Sequence, residues 1–308
     1  MGIFPGTWPQ ALGLAVGAVL AAGSVAAQID PQHAPRGDRA AAVSAKPSAW
    51  SVDNPDVLAD LGAGRPLVVR VLVPLCSNHQ IWCGARFAGQ PGHAKTNLYW
   101  GAIYGVRRFL ERKRSAWSRV QLERGQGVVL ERAVYRRRVP AARWGLGSTS
   151  SVQQVVVLEA IHGSHIDQAV EKLWSVATRG GQVRFVDATG PRTERVHVVG
   201  YAGHNRLMDG IPFPPALPPR APGDHPVPVF VLACNSEGYF SPALRQAGSL
   251  PLVMTRSLMA PEGYVVDAVL RGLGDNLSAA GIRELAVRAY AKWQRLSVRQ
   301  ASVIFARR

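Results

Sequence analysis

The stretch Val229-Phe-Val-Leu-Ala-Cys234-Asn-Ser236 constrains the fold most. An unbroken apolar run bounded by Pro228 and a polar turn reads as a strand buried on both faces of a sheet. Such a strand delivers Cys234 to the carboxyl edge, where open α/β folds bind ligands. Three further runs share the pattern. Leu67–Leu75 ends in Cys76-Ser77-Asn78, and Gln154–Ile161 ends in His162-Gly163-Ser164. Arg195–Ala202 ends in Gly203-His204-Asn205. Helical segments are expected at 97–113, 166–177, 239–247, 261–271 and 278–295, with a short hairpin or edge strand within 117–140 and a further strand at 251–255. Strands alternating with helices predict an α/β sandwich with a mostly parallel sheet. Residues 210–227 hold seven prolines and read as an irregular loop over the sheet edge.

The chain has 308 residues, 47% of them hydrophobic, enough for one large domain or two small ones. Its organisation is expected to be a signal peptide over 1–27, a disordered leader over 28–65 and a folded domain over 66–308. Ala11–Gly23 is apolar and small, and Ser24-Val-Ala26-Ala27 offers a cleavage site, although no Lys or Arg precedes the run. A periplasmic or secreted location follows. The run is short for a membrane span, and no other segment is long and apolar enough to be one. Residues 28–65 are rich in Ala, Pro, Asp and Arg and lack apolar periodicity.

The net charge is +16, from 36 basic and 20 acidic residues. Such a charge favours anionic polymers. The arginines are scattered and no run interleaves with aromatics, so a solvated surface is the preferred reading and no specific nucleic-acid partner is expected. Cys76 and Cys83 can pair, which leaves Cys234 as a free thiol, although so short a loop strains disulfide geometry.

A strand-end cysteine is often a small buried apolar residue. A strand-end histidine on a neighbouring strand changes that, because a thiolate nucleophile needs an adjacent base. His162 is the rival base, with a His-Gly dipeptide but on a different strand. Asp209 either lines the pocket or starts a turn, and the turn is favoured. His162 and His165 lack further ligands at metal-binding spacing, no phosphate loop follows the first strand, and Gly-x-Ser-x-Gly is absent. No cofactor is expected.

Over about residues 66–260 the chain resembles the caspase-like cysteine peptidases, which include caspases, legumain, gingipains and the CHAT proteases. In those families one apolar strand ends in His-Gly and the next core strand ends in Ala-Cys. The counterparts are Gly203-His204-Asn205 and Leu232-Ala233-Cys234. Two departures are Asn205, where glycine is usual, and the proline loop in place of helical sequence between the two strands. The resemblance implies acyl transfer on a peptide or protein substrate, with Cys234 as nucleophile, His204 as base, and the N–H groups of Cys234 and Asn205 binding the oxyanion. Gly203, Asn235, Ser236, His162, Ser77, Asn78 and Asp209 are the remaining candidate pocket residues. The competing expectation is a non-catalytic binding or scaffold protein on the same fold, engaging an anionic polymer.

Overall fold

Val- and Leu-rich Leu67–Pro74 (β1) lies in the middle of a sheet, where β-branched side chains pack well on both faces. The computed structural model describes residues 49–307 apart from 126, 148–150 and 217–220. The other sheet strands are Ser118–Arg124 (β2), Val129–Pro140 (β3), Ser151–Ile161 (β4), Val198–Ala202 (β7), Val229–Leu232 (β8) and Pro251–Val253 (β9). Gln182–Asp187 (β5) and Gly190–Arg195 (β6) form a separate two-stranded hairpin. The sheet order is β2-β3-β4-β1-β7-β8-β9. The pairs from β4 to β9 are parallel, and β2 and β3 add an antiparallel margin.

Helices cover both faces of the sheet, as the alternating pattern predicts. Leu67, Val69, Val71 and Val73 pack into one core with Val265, Val269, Leu270 and Ile282. The last four come from Gly263–Gly274 (α5) and Ala279–Gln294 (α6). Val68 and Leu72 face the other core with Ala169, Val170, Leu173 and Phe240. Those residues belong to Ile166–Arg179 (α3) and Ser236–Gln246 (α4). Gly200 on β7 is needed because the Phe230 ring occupies the place a Cβ would take.

Three expectations change. The leader does not run to residue 65. Trp50 is buried and its Nε1 donates to the Leu273 carbonyl at 2.9 Å. Pro55–Gly62 is a helix (α1), with Pro55 in the first turn and Val57 and Leu61 buried. Hydrophobic anchors every few residues were hidden among Ala and Asp. The remaining leader and the expected signal peptide lie outside the described residues. The helix expected from 97 to 113 is confined to Val106–Leu110 (α2). The Asn97 carbonyl accepts from Trp100, Gly101 and Ala102, and a Cβ on Gly101 would run into the Lys95 carbonyl, so the chain turns before it coils. The strand expected from Arg195 is split. The His197 N–H donates to the Val68 carbonyl and its Nδ1 accepts from the Val68 N–H, ending β6 and starting β7. Among the described residues no helix is long and apolar enough to cross a membrane.

Candidate active site

β7 and β8 are parallel neighbours with Ala202 paired to Leu232, and the ladder continues through Gly203 N–H to the Leu232 carbonyl at 3.2 Å. His204 and Cys234 therefore stand at the same level, each two residues past a paired position, on strands about 4.8 Å apart. Gly203 allows this end to pack on β1, since a Cβ there would meet Pro74 Cγ at 2.6 Å.

The histidine is oriented. Its Nε2 lies 2.7 Å from Asp209 Oδ2, with its side chain 10% exposed. An ionised carboxylate only accepts, so Nε2 carries the proton and Nδ1 is left as the basic nitrogen. Asp209 is itself held by Arg206 Nη1 at 3.1 Å, and Arg206 Nε reaches Asp167 Oδ1 at 2.9 Å. Asp209 was expected to start a turn. It does sit in the short 3-10 segment Arg206–Asp209, and that turn returns its carboxylate to His204.

The cysteine is held too. Asn235 has φ of 51°, and α4 begins at the next residue, three residues earlier than the sequence indicated. Asn235 N–H donates to the Ser257 carbonyl and Glu237 N–H to the Thr255 carbonyl. Thr255 Oγ1 donates to the Ala233 carbonyl. The Met259 N–H donates to Cys234 Sγ at 3.3 Å, and Sγ lies 3.6 Å from the Met259 carbonyl. Among the described residues no hydrogen bond joins Sγ to the His204 ring, and the backbone N–H groups of Cys234 and Asn205 have no protein acceptor. A free N–H at the amino end of a helix favours developing negative charge.

Asn205, the departure from glycine, has an ordinary φ of −83°. Its buried side chain links the two strand ends, with Nδ2 donating to the Cys234 carbonyl at 2.6 Å and Oδ1 accepting from Leu207 N–H.

Several expected pocket residues do other work. Ser236 is fully buried, donating to the Val231 carbonyl and accepting from Thr255 N–H, so it is a tether and not a pocket wall. Asn78 clamps its own loop through the Ala85 and Arg86 carbonyls and Cys83 N–H. Ser77 is buried, and its Oγ accepts from His79 N–H. His162 ends β4, and β1 and β7 separate β4 from β8, about 14 Å of sheet. Its Nδ1 accepts from Ser164 N–H, and its ring meets His165 edge-on at 5.5 Å. Burial, then His165, pushes its pKa down.

The structure adds Met259, Tyr99 and Tyr290 to the surroundings of the thiol. Burial raises the pKa of both tyrosines, and Cys234 and Glu262 add to that rise. The Tyr290 hydroxyl accepts from Ala260 N–H at 3.0 Å, fixing the segment that meets Sγ. The available signal was a fifth strand end, but Leu258-Met259-Ala260 is apolar and acts through its backbone.

Cys76 and Cys83 form a disulfide and Cys234 is free. The span of seven residues predicts a stabilisation of about 2.5 kcal/mol by chain entropy. Reduction, or Cys83→Ser, is expected to lower the melting temperature while Cys234 still alkylates. Calorimetry and peptide mapping check both parts, and loss of Cys234 labelling on reduction would show that the loop shapes the site.

Comparison with known protein families, curated proteins and solved structures finds no match.

Proposed function

We propose that the chain is a cysteine hydrolase acting on peptide bonds, of the caspase-like kind. One observation carries the reading. A free thiol and a carboxylate-oriented histidine end adjacent parallel strands at one level, beside two backbone N–H groups that have no acceptor among the described residues. Cys234 Sγ attacks the carbonyl carbon as its proton passes to His204 Nδ1. The Cys234 and Asn205 N–H groups receive the oxyanion. The C–N bond then breaks, and His204 returns the proton to the departing amine. Water, deprotonated by His204, hydrolyses the thioester and releases the acid. The amino-terminal apolar run and the Cys76–Cys83 disulfide support a periplasmic or secreted location.

A second reading, a non-catalytic protein on the same fold, is favoured by the hold of the Met259 backbone on Sγ. The two differ in thiol reactivity. A catalytic Cys234 alkylates with iodoacetamide faster than a model thiol near neutral pH, and His204→Ala slows it. A broad peptide library, read by mass spectrometry for new carboxyl ends, tests turnover. No cleavage together with alkylation slower than the model thiol selects the non-catalytic reading.

A further inference from the structure

We propose that a cleft at the opposite, amino-terminal edge of the sheet binds a chain of tetrahedral oxyanions, phosphate or sulfate. The cleft holds about 580 Å³. Its floor is the margin of the sheet where Arg136 pairs with Ser118 and Val155, and Arg138 pairs with Gln153. Alternate residues of a strand share a face, so Arg136 and Arg138 project together, about 7 Å apart along β3. The β5–β6 hairpin forms the opposite wall with Asp187, Thr189 and Arg192, docked by Val186 N–H to Gln121 Oε1 at 2.9 Å. Arg65, just after α1, closes the end.

The charge in this cleft is one-sided. Five arginines line it against one carboxylate, Asp187. Asp187 Oδ1 is turned into the hairpin bend, accepting from the Thr189 N–H at 2.8 Å and Oγ1 at 2.6 Å. Arg65 pairs with Asp60, Arg192 with Glu194 and Arg137 with Asp275. Among the described residues, Arg136 and Arg138 form no ion pair, and both are exposed. Guanidinium forks bind phosphate and sulfate bidentately, and Gln153 supplies a neutral donor beside them. Arg136 and Asp187 also line an adjoining hollow with Arg119, whose Nη1 pairs with Glu111 at 2.8 Å, so the groove continues past the cleft. That continuity suits an extended anion better than a single ion. The cleft shares no residue with the Cys234 site, and its ligand is independent of whether Cys234 is catalytic.

Titration calorimetry of the full chain at several salt concentrations tests this with inorganic tripolyphosphate, a heparin oligosaccharide and, as a carboxylate polymer, polyglutamate. Tripolyphosphate or heparin is expected to bind, the tighter of the two naming phosphate or sulfate as the source. Arg136→Ser/Arg138→Ser is expected to weaken binding about tenfold or more and to reduce the salt slope by about two. Both side chains are exposed, so the melting temperature should hold. Arg288→Ser, on α6 outside the cleft, should bind like the wild type. Three results would each overturn the proposal: equal binding by the cleft double variant, an equal loss in Arg288→Ser, or binding confined to polyglutamate.

Discussion

Cys234→Ala is expected to leave a folded protein that hydrolyses none of the peptides the wild type cleaves. The thiol supplies the bond-forming atom, and nothing else at the carboxyl edge replaces it. Removing a nucleophile or its base costs on the order of 10³–10⁶ in rate, and the two losses do not add because the pair acts as a unit. His204→Ala is therefore expected to match Cys234→Ala, and the double variant to be no worse. Asp209→Asn is the more telling change. Asparagine can donate to Nε2, which would put the proton on Nδ1, the nitrogen that must accept it. Activity should fall by about 10²–10⁴ with little change in KM. His162→Ala, on a strand separated from β8 by β1 and β7, should leave kcat unchanged. Stability separates chemistry from structure. Among the described residues Sγ has only the Met259 backbone as partner, so Cys234→Ala should cost about 1 kcal/mol or less. Retained hydrolysis in Cys234→Ala would remove the thiol from the mechanism. An Asp209→Asn variant as active as the wild type would reduce the His204–Asp209 contact to a turn.

What was legible followed from pattern. Apolar runs such as Val229–Leu232 can only be buried strands, and polar residues at their ends must gather at one edge, so Cys234 and His204 both fall at the carboxyl ends of adjacent strands. What was hidden followed from partnership. Asn78, Ser77 and Ser236 look like pocket residues because they are polar at strand ends, yet each is consumed by loop hydrogen bonds. Met259 escaped because its side chain is apolar and its contact runs through the backbone. The helix expected from 97 to 113 has helical composition, but the Asn97 side chain binds the Cys76 N–H and carbonyl, and that bond requires a turn. The burial of Trp50 is not legible in the sequence, because one aromatic in an Ala- and Pro-rich stretch carries no period. The His204 and Cys234 segments follow the parallel β7–β8 pair, whose register puts the two residues at the same level.

The largest stability effect is expected at Glu159, which the sequence shows only as a lone acid inside an apolar strand. On β4 it sits opposite Leu72 on one side and Arg132 on the other. Both of its carboxylate oxygens accept from the one Arg70 Nη2, at 2.8 and 2.9 Å, and Oε2 meets Lys172 Nζ from α3 at 2.9 Å. Arg132 Nε stands 3.7 Å away. Burial pushes the carboxyl pKa up, but Arg70 and Lys172 together outweigh it and hold the group below its ordinary value. Glu159→Gln keeps the shape and removes the charge, leaving three cations around a neutral amide, with Arg70 and Arg132 largely buried. Breaking a buried pair in this way costs about 3–5 kcal/mol, or roughly 10 °C in melting temperature. The sign of the pH dependence follows from the depressed pKa. The stabilisation is fully present above the unfolded carboxyl value, about 4.3, and is lost as pH falls through the lower folded value. The gap between wild type and Glu159→Gln should therefore be constant near neutrality and close in acid. Glu284→Gln, which breaks the exposed pair with Arg288, should change stability by about 0.5 kcal/mol or less. Denaturant unfolding of the three proteins across pH decides the matter. A Glu159→Gln variant within about 1 kcal/mol of the wild type at neutral pH would mean that the three cations find other partners or water, and that the cluster orders α3 on the sheet without stabilising it.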